Sequence, residues 1–173
     1  MASSDRIDDL RRRVQRDPAS IAFAQLAEEY RRAGQLAEAV DACRSGLDTH
    51  PEYTSARVTL GRALLALGRL DEASVELRAV LAAAPENLAA TRALADTCRR
   101  QGLLLDAFTY YTAACTLAPN DPDLERIVTD MAHAVAAHQQ GIAAADRARA
   151  AAELAALDQW LEAIHAARSD QQP

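Results

Sequence analysis

The sequence predicts an all-α solenoid of stacked helical hairpins. Three observations carry this. Gly34, Gly68 and Gly102 are 34 residues apart, and Ala39, Ala73 and Ala107, Leu26, Leu60 and Leu94, and Pro51, Pro85 and Pro119 keep the same period. A fixed period of this length marks stacked supersecondary units rather than one globular core. Half of the 173 residues are apolar, but aromatics are only 4 %, so the apolar content is mostly Ala and Leu, which suits closely packed helices. Within each period a helical run meets a Gly, a second helical run follows, and Pro closes the unit, as in 56–85.

Composition bounds the function classes. Net charge is −6, so no global field favours nucleic acid or anionic lipid. All nineteen basic residues are Arg, so any basic site presents planar, bidentate guanidinium groups. No run of 18 apolar residues occurs, and the first 18 residues are charged, which points away from membrane insertion and a secretory signal and towards a cytoplasmic protein. Cys43, Cys98 and Cys115 lack metal-ligand or redox spacing and read as small core thiols.

Taken in order, 1–18 reads as one amphipathic helix. Ile7, Leu10 and Val14 share a face, and Asp17-Pro18 ends it. Its layout is that of a half-repeat covering the open end of a stack. Units 20–53, 54–87 and 88–121 follow, together spanning 20–121. At matching places they carry Phe23, Leu26, Ala27, Tyr30, Ala39, Cys43, Gly46 and Pro51; then Arg57, Leu60, Gly61, Leu64, Ala73, Leu77, Val80 and Pro85; then Thr91, Leu94, Ala95, Cys98, Ala107, Tyr111, Ala114 and Pro119. Small residues at Ala27, Gly61 and Ala95, and at Ala39, Ala73 and Ala107, let paired helices approach closely. Each Gly sits where a left-handed residue commonly ends a helix.

On these positions the chain resembles the tetratricopeptide repeat family. Arg57 and Thr91, where the family pattern has a large apolar residue, depart from it. The resemblance implies a right-handed superhelix of helical hairpins whose first helices line a concave groove, and a scaffold or adaptor function without catalysis. Positions 2, 5, 9 and 12 of each unit would then face inward. They supply the candidate partner-binding residues Glu28, Arg31, Val58, Arg62, Leu65, Arg92, Asp96 and Arg99. Two readings stay open. Glu28, Arg62 and Asp96 form an exposed charge ladder between helices, or the surplus Arg make the groove locally positive and hold carboxylates of a peptide, with Val58 and Leu65 giving apolar contact. Some family members grip a C-terminal Glu-Glu-Val-Asp with a Lys and Asn clamp; the matching places here are Ala24, Glu28, Thr59, Ala89 and Ala93, so that clamp is absent.

Behind the repeats, 122–139 reads as a capping helix, started by Asp121-Pro122 and apolar at Leu124, Ile127, Val128, Met131 and Val135. An Ala-rich connector, 140–153, follows, with Gly141 read as an interruption. The stretch 154–173 reads as an amphipathic C-terminal helix and tail, with Leu154, Leu157, Trp160, Leu161 and Ile164 on one face as an interaction helix. That helix extends the stack, docks in its own groove, or docks on a second copy or another protein, and a self-associating assembly protein is the alternative function. No P-loop, HExxH, GxSxG or CxxC occurs, so the sequence indicates no enzyme, metal or cofactor. The expected partner is a protein or peptide, acidic in the positive-groove reading, and neither nucleic acid nor membrane.

Overall fold

The computed structural model describes residues 2–17 and 20–169, with side chains over 5–17 and 20–161. Pro18, the 170–173 tail and the Ile164 side chain lie outside the described residues. The described chain is helical throughout: α1 (Ala2–Arg16), α2 (Ala22–Arg32), α3 (Leu36–Thr49), α4 (Thr54–Ala66), α5 (Leu70–Ala83), α6 (Leu88–Arg100), α7 (Leu104–Leu117) and α8 (Pro122–Ser169). It divides into two units, Met1–Met131 and Ala132–Pro173.

Three hairpins, α2–α3, α4–α5 and α6–α7, are closed by the same turn. Gly34, Gly68 and Gly102 have φ of +76°, +79° and +78°, a region that costs a side chain about 1 kcal/mol or more. The next residue then donates back into the last helical turn, Gln35 to the Tyr30 carbonyl, Arg69 to Leu64 and Leu103 to Cys98, each at 2.9 Å. This is the Schellman arrangement, which satisfies carbonyls the ending helix would leave bare. Pro51, Pro85 and Pro119 then forbid continuation of α3, α5 and α7, whose last amide hydrogen bonds run to Gly46, Val80 and Ala114. Helix α6 is started by Asn87, whose side chain accepts from the Ala90 amide at 3.0 Å. Helix α8 is started by Asp121, which accepts from the Asp123 and Leu124 amides at 3.0 and 3.2 Å.

The period-34 positions form the interior. Ala27, Ala39, Ala73, Ala95 and Ala107 have no exposed surface, and Leu60, Leu64, Leu77 and Leu94 fill the space between them. Arg57 replaces an apolar anchor by bonding: it donates to the Pro51 carbonyl at 2.8 Å and pairs with Glu76 at 2.8 Å, tying the loop before α4 to α5. At the front, α1 packs on α2 through Ile7 and Leu10, and the Tyr30 hydroxyl accepts from Arg11 at 2.9 and 3.1 Å. At the back, Leu124 and Met131 of α8 join the same core, with Ile127 and Val128 partly buried against it.

The stack has distinct sides. Helix α2 contacts α4 and α4 contacts α6, whereas α3 and α5, and α5 and α7, make no such contacts among the described residues. First helices therefore converge and second helices diverge, which curves the hairpins around the α2–α4–α6 side.

Residues 122–169 differ from the sequence reading. The structure has one helix of 48 residues, not a capping helix, a connector and a further helix, and it is not interrupted at Gly141. A single interior Gly costs about 1 kcal/mol relative to Ala, which the surrounding run of Ala offsets. No described helix is long and apolar enough to cross a membrane.

Candidate functional site

On the inner side of the hairpins, a cavity of about 670 Å³ is lined by Arg31 of α2, Arg62, Leu65 and Ala66 of α4, and Leu88, Ala89, Arg92, Ala93 and Asp96 of α6. The late turns of α2, the second half of α4 and the early turns of α6 meet there, so the cavity crosses the repeats diagonally. Five residues singled out in the sequence, Arg31, Arg62, Leu65, Arg92 and Asp96, come together in it. Glu28, Val58 and Arg99 do not line it.

Each of those three has a structural reason. Val58 is only 8 % exposed and belongs to the core, so it offers no groove contact. Glu28 is engaged by its own helix: Arg31 donates to both carboxylate oxygens at 2.9 and 2.8 Å, and Arg32 donates at 3.0 Å. Arg99 donates to the Tyr111 hydroxyl at 3.2 Å and pairs with Asp96 at 3.5 Å.

The ladder Glu28–Arg62–Asp96 does not form. Glu28 is held by Arg31 and Arg32, Asp96 accepts from the Tyr111 hydroxyl and faces Arg99, and Arg92 lies 3.5 Å from Asp121. Arg62 makes no ion pair among the described residues. Partial burial, and then the adjacent Arg31, lower the Arg62 pKa, while Glu28 raises it. The cavity thus holds a cation whose surroundings disfavour its charge, beside the apolar surface of Leu65 and Leu88.

Tyr111 was legible in the sequence only as a packing aromatic. Its ring is buried in α7, but its hydroxyl reaches Asp96 and Arg99 on the inner side. Burial, then the hydrogen bond to Asp96, push its pKa up to about 12, so it stays protonated as the donor that orients Asp96. Nothing in the repeat spacing signals a hydroxyl reaching between helices.

Glu28 also sets an acid response. The hydrogen bonds from Arg31 lower its pKa to about 2. The folded pKa lies below the usual carboxylate value, so the unfolded chain binds more protons, and this contribution is full above about pH 4.5 and is lost as pH falls towards about 2. Urea midpoints measured between pH 5 and 2.5 are expected to fall less steeply in Glu28→Gln than in the parent chain; identical slopes would contradict the assignment.

The described positions of the interaction helix are open to solvent: Leu154, Leu157, Trp160 and Leu161 are all exposed on α8.

Comparison with known proteins agrees with this architecture. Residues 30–97 match the family model described as tetratricopeptide repeat. No curated protein matches the sequence. Among solved structures, MamA 41-end from Desulfovibrio magneticus RS-1 is 19 % identical at a TM-score of 0.72, covering 80 % of this chain and 78 % of that one. TTC0263, a thermophilic tetratricopeptide protein of Thermus thermophilus, is 24 % identical at 0.62, covering 72 % and 70 %. The first tetratricopeptide domain of Spaghetti (RPAP3), bound to the HSP90 peptide SRMEEVD, is 18 % identical at 0.65, covering 69 % and 94 %. The matched segment, 30–97, and the stacked hairpins thus resemble tetratricopeptide-repeat proteins in sequence pattern and in fold.

Proposed function

We propose that the chain is a protein-interaction scaffold whose α2–α4–α6 side holds a segment of a partner protein bearing an acidic residue beside a leucine-class side chain. The observation that carries this is Arg62, set in the cavity while the nearby carboxylates Glu28 and Asp96 are engaged by other donors. A partner carboxylate pairs with Arg62, and an adjacent apolar side chain lies on Leu65 and Leu88. A hydrogen bond to a charged group is worth about 1.5–3 kcal/mol and burial of a leucine-sized side chain about 2 kcal/mol, which together suit a reversible peptide contact.

The peptide-bound structure of Spaghetti (RPAP3) supports this reading in that a related fold holds an acidic peptide. The chemistry here differs from the Lys and Asn clamp, because Ala24, Thr59, Ala89 and Ala93 cannot grip a terminal Glu-Glu-Val-Asp. Recognition rests on Arg62, with Arg31 and Arg92 as neutralised neighbours.

Peptide display against the purified chain is expected to enrich an acidic residue next to Leu, Ile or Met. Affinity for a selected peptide should fall more than roughly tenfold in Arg62→Glu, which removes the cation and sets a like charge against the peptide carboxylate. Arg62 is a solvent-facing position, so the circular dichroism melt should be unchanged. Equal affinity in the variant would remove Arg62 from the site.

A further inference from the structure

A second surface lies wholly within the Ala132–Pro173 unit. From Ala136 to Leu161 every side chain of α8 is exposed, including Leu154 at 63 % and Trp160 at 61 %. Large apolar groups clustered on one bare helix mark an interaction surface. At alternating spacings of four and three residues, Ala143, Arg147, Ala150, Leu154, Leu157 and Leu161 lie along one seam, with two small residues flanking Arg147 in its first half and three leucines in its second. The charges beside the larger half are acidic, Glu153 and Asp158.

We propose that this seam pairs antiparallel with the seam of a second copy, Leu154 of each chain lying opposite Leu157 of the other. Size and charge both select that arrangement. Opposed directions bring the Ala-rich half of one helix against the Leu-rich half of the other, so that Leu161 enters the space left by Ala150. Glu153 then falls beside Trp160 and Asp158 beside Ala151, with no like charges opposed. A parallel pair in register would set Glu153 against Asp158. Antiparallel pairs shifted by seven residues would set Glu153 against Glu153 in one direction and Asp158 against Asp158 in the other. Like charges so placed are destabilising, which favours the first arrangement over these three.

Sedimentation equilibrium of the full chain is expected to give a mass near twice the 18.6 kDa monomer at micromolar concentration, and Leu157→Asp is expected to give the monomer with the hairpin melt unchanged. Arg62→Glu should keep the dimer, which separates this contact from the groove. In a Cys115→Ser background, where the remaining Cys43 and Cys98 are fully buried, Leu154→Cys and Leu157→Cys chains mixed and air-oxidised should yield mainly the mixed disulfide. A monomer at all concentrations, a dimer that survives Leu157→Asp or dissociates in Arg62→Glu, or a predominance of like-with-like disulfides would overturn the proposal.

Discussion

Replacing Gly46 by Ala is expected to lower the melting midpoint by roughly 10 °C. A Cβ at this position would lie 2.0 Å from Phe23 Cδ2 and 2.2 Å from its Cγ, so the ring must leave its place. Phe23 is 2 % exposed, stacked on His50 at 6.0 Å between ring centroids and tilted against Tyr53 at 5.7 Å. Losing a buried Phe costs about 3–5 kcal/mol, while Ala in place of Gly returns about 1 kcal/mol of helix propensity. The net loss of about 3 kcal/mol, at about 2–4 °C per kcal/mol for a chain of this size, gives the stated shift. An unchanged midpoint would mean that the ring does not rest on Gly46. Where the anchor is Arg57 or Thr91 instead of Phe23, the residue at the place of Gly46 is Val80 or Ala114. The departures from the family pattern thus come with larger residues at the second place.

Truncation of Leu77 to Ala is expected to destabilise the chain by about 2–5 kcal/mol, because Leu77 is completely buried at the centre of the middle hairpin and its loss leaves a void. A second substitution makes the test specific. A Cβ at Gly61 would meet Leu77 Cγ at 2.6 Å and Cδ2 at 2.7 Å, so Gly61→Ala alone should cost about 1–3 kcal/mol by overpacking. In the Leu77→Ala background the same methyl enters vacated space, and the double variant should be no less stable than Leu77→Ala. Urea unfolding of the four chains gives the coupling directly; additive effects would show that α4 and α5 do not meet at this pair.

The repeat architecture was legible because its determinants are local and periodic. Gly34, Gly68 and Gly102 announce a backbone conformation, Pro51, Pro85 and Pro119 announce a stop, and the buried alanines announce close approach. The groove was legible only in part. Position within a repeat set Arg31, Arg62, Leu65, Arg92 and Asp96 on the inner side, and these five line one cavity. It could not say that α2, α4 and α6 present different turns to one cavity, that Val58 turns into the core, or that Glu28 is engaged by Arg31 and Arg32 of its own helix. Those outcomes depend on side-chain direction and on stagger between units. Tyr111 was missed for the same reason, since its hydroxyl acts on the neighbouring helix while its ring behaves as ordinary core. The continuity of α8 was missed because Gly141 was weighed alone, whereas helix formation is cooperative over the many Ala that flank it.

Receipt of a partner segment at Arg62, on the side formed by α2, α4 and α6, can be followed in the backbone amide shifts of the isotope-labelled chain as a display-selected acidic peptide is added. The expected result is a contiguous set of shifts at Arg31 to Ala33, Arg62 to Ala66 and Leu88 to Asp96, lost in Arg62→Glu. Shifts confined to α3, α5 and α7 would contradict it.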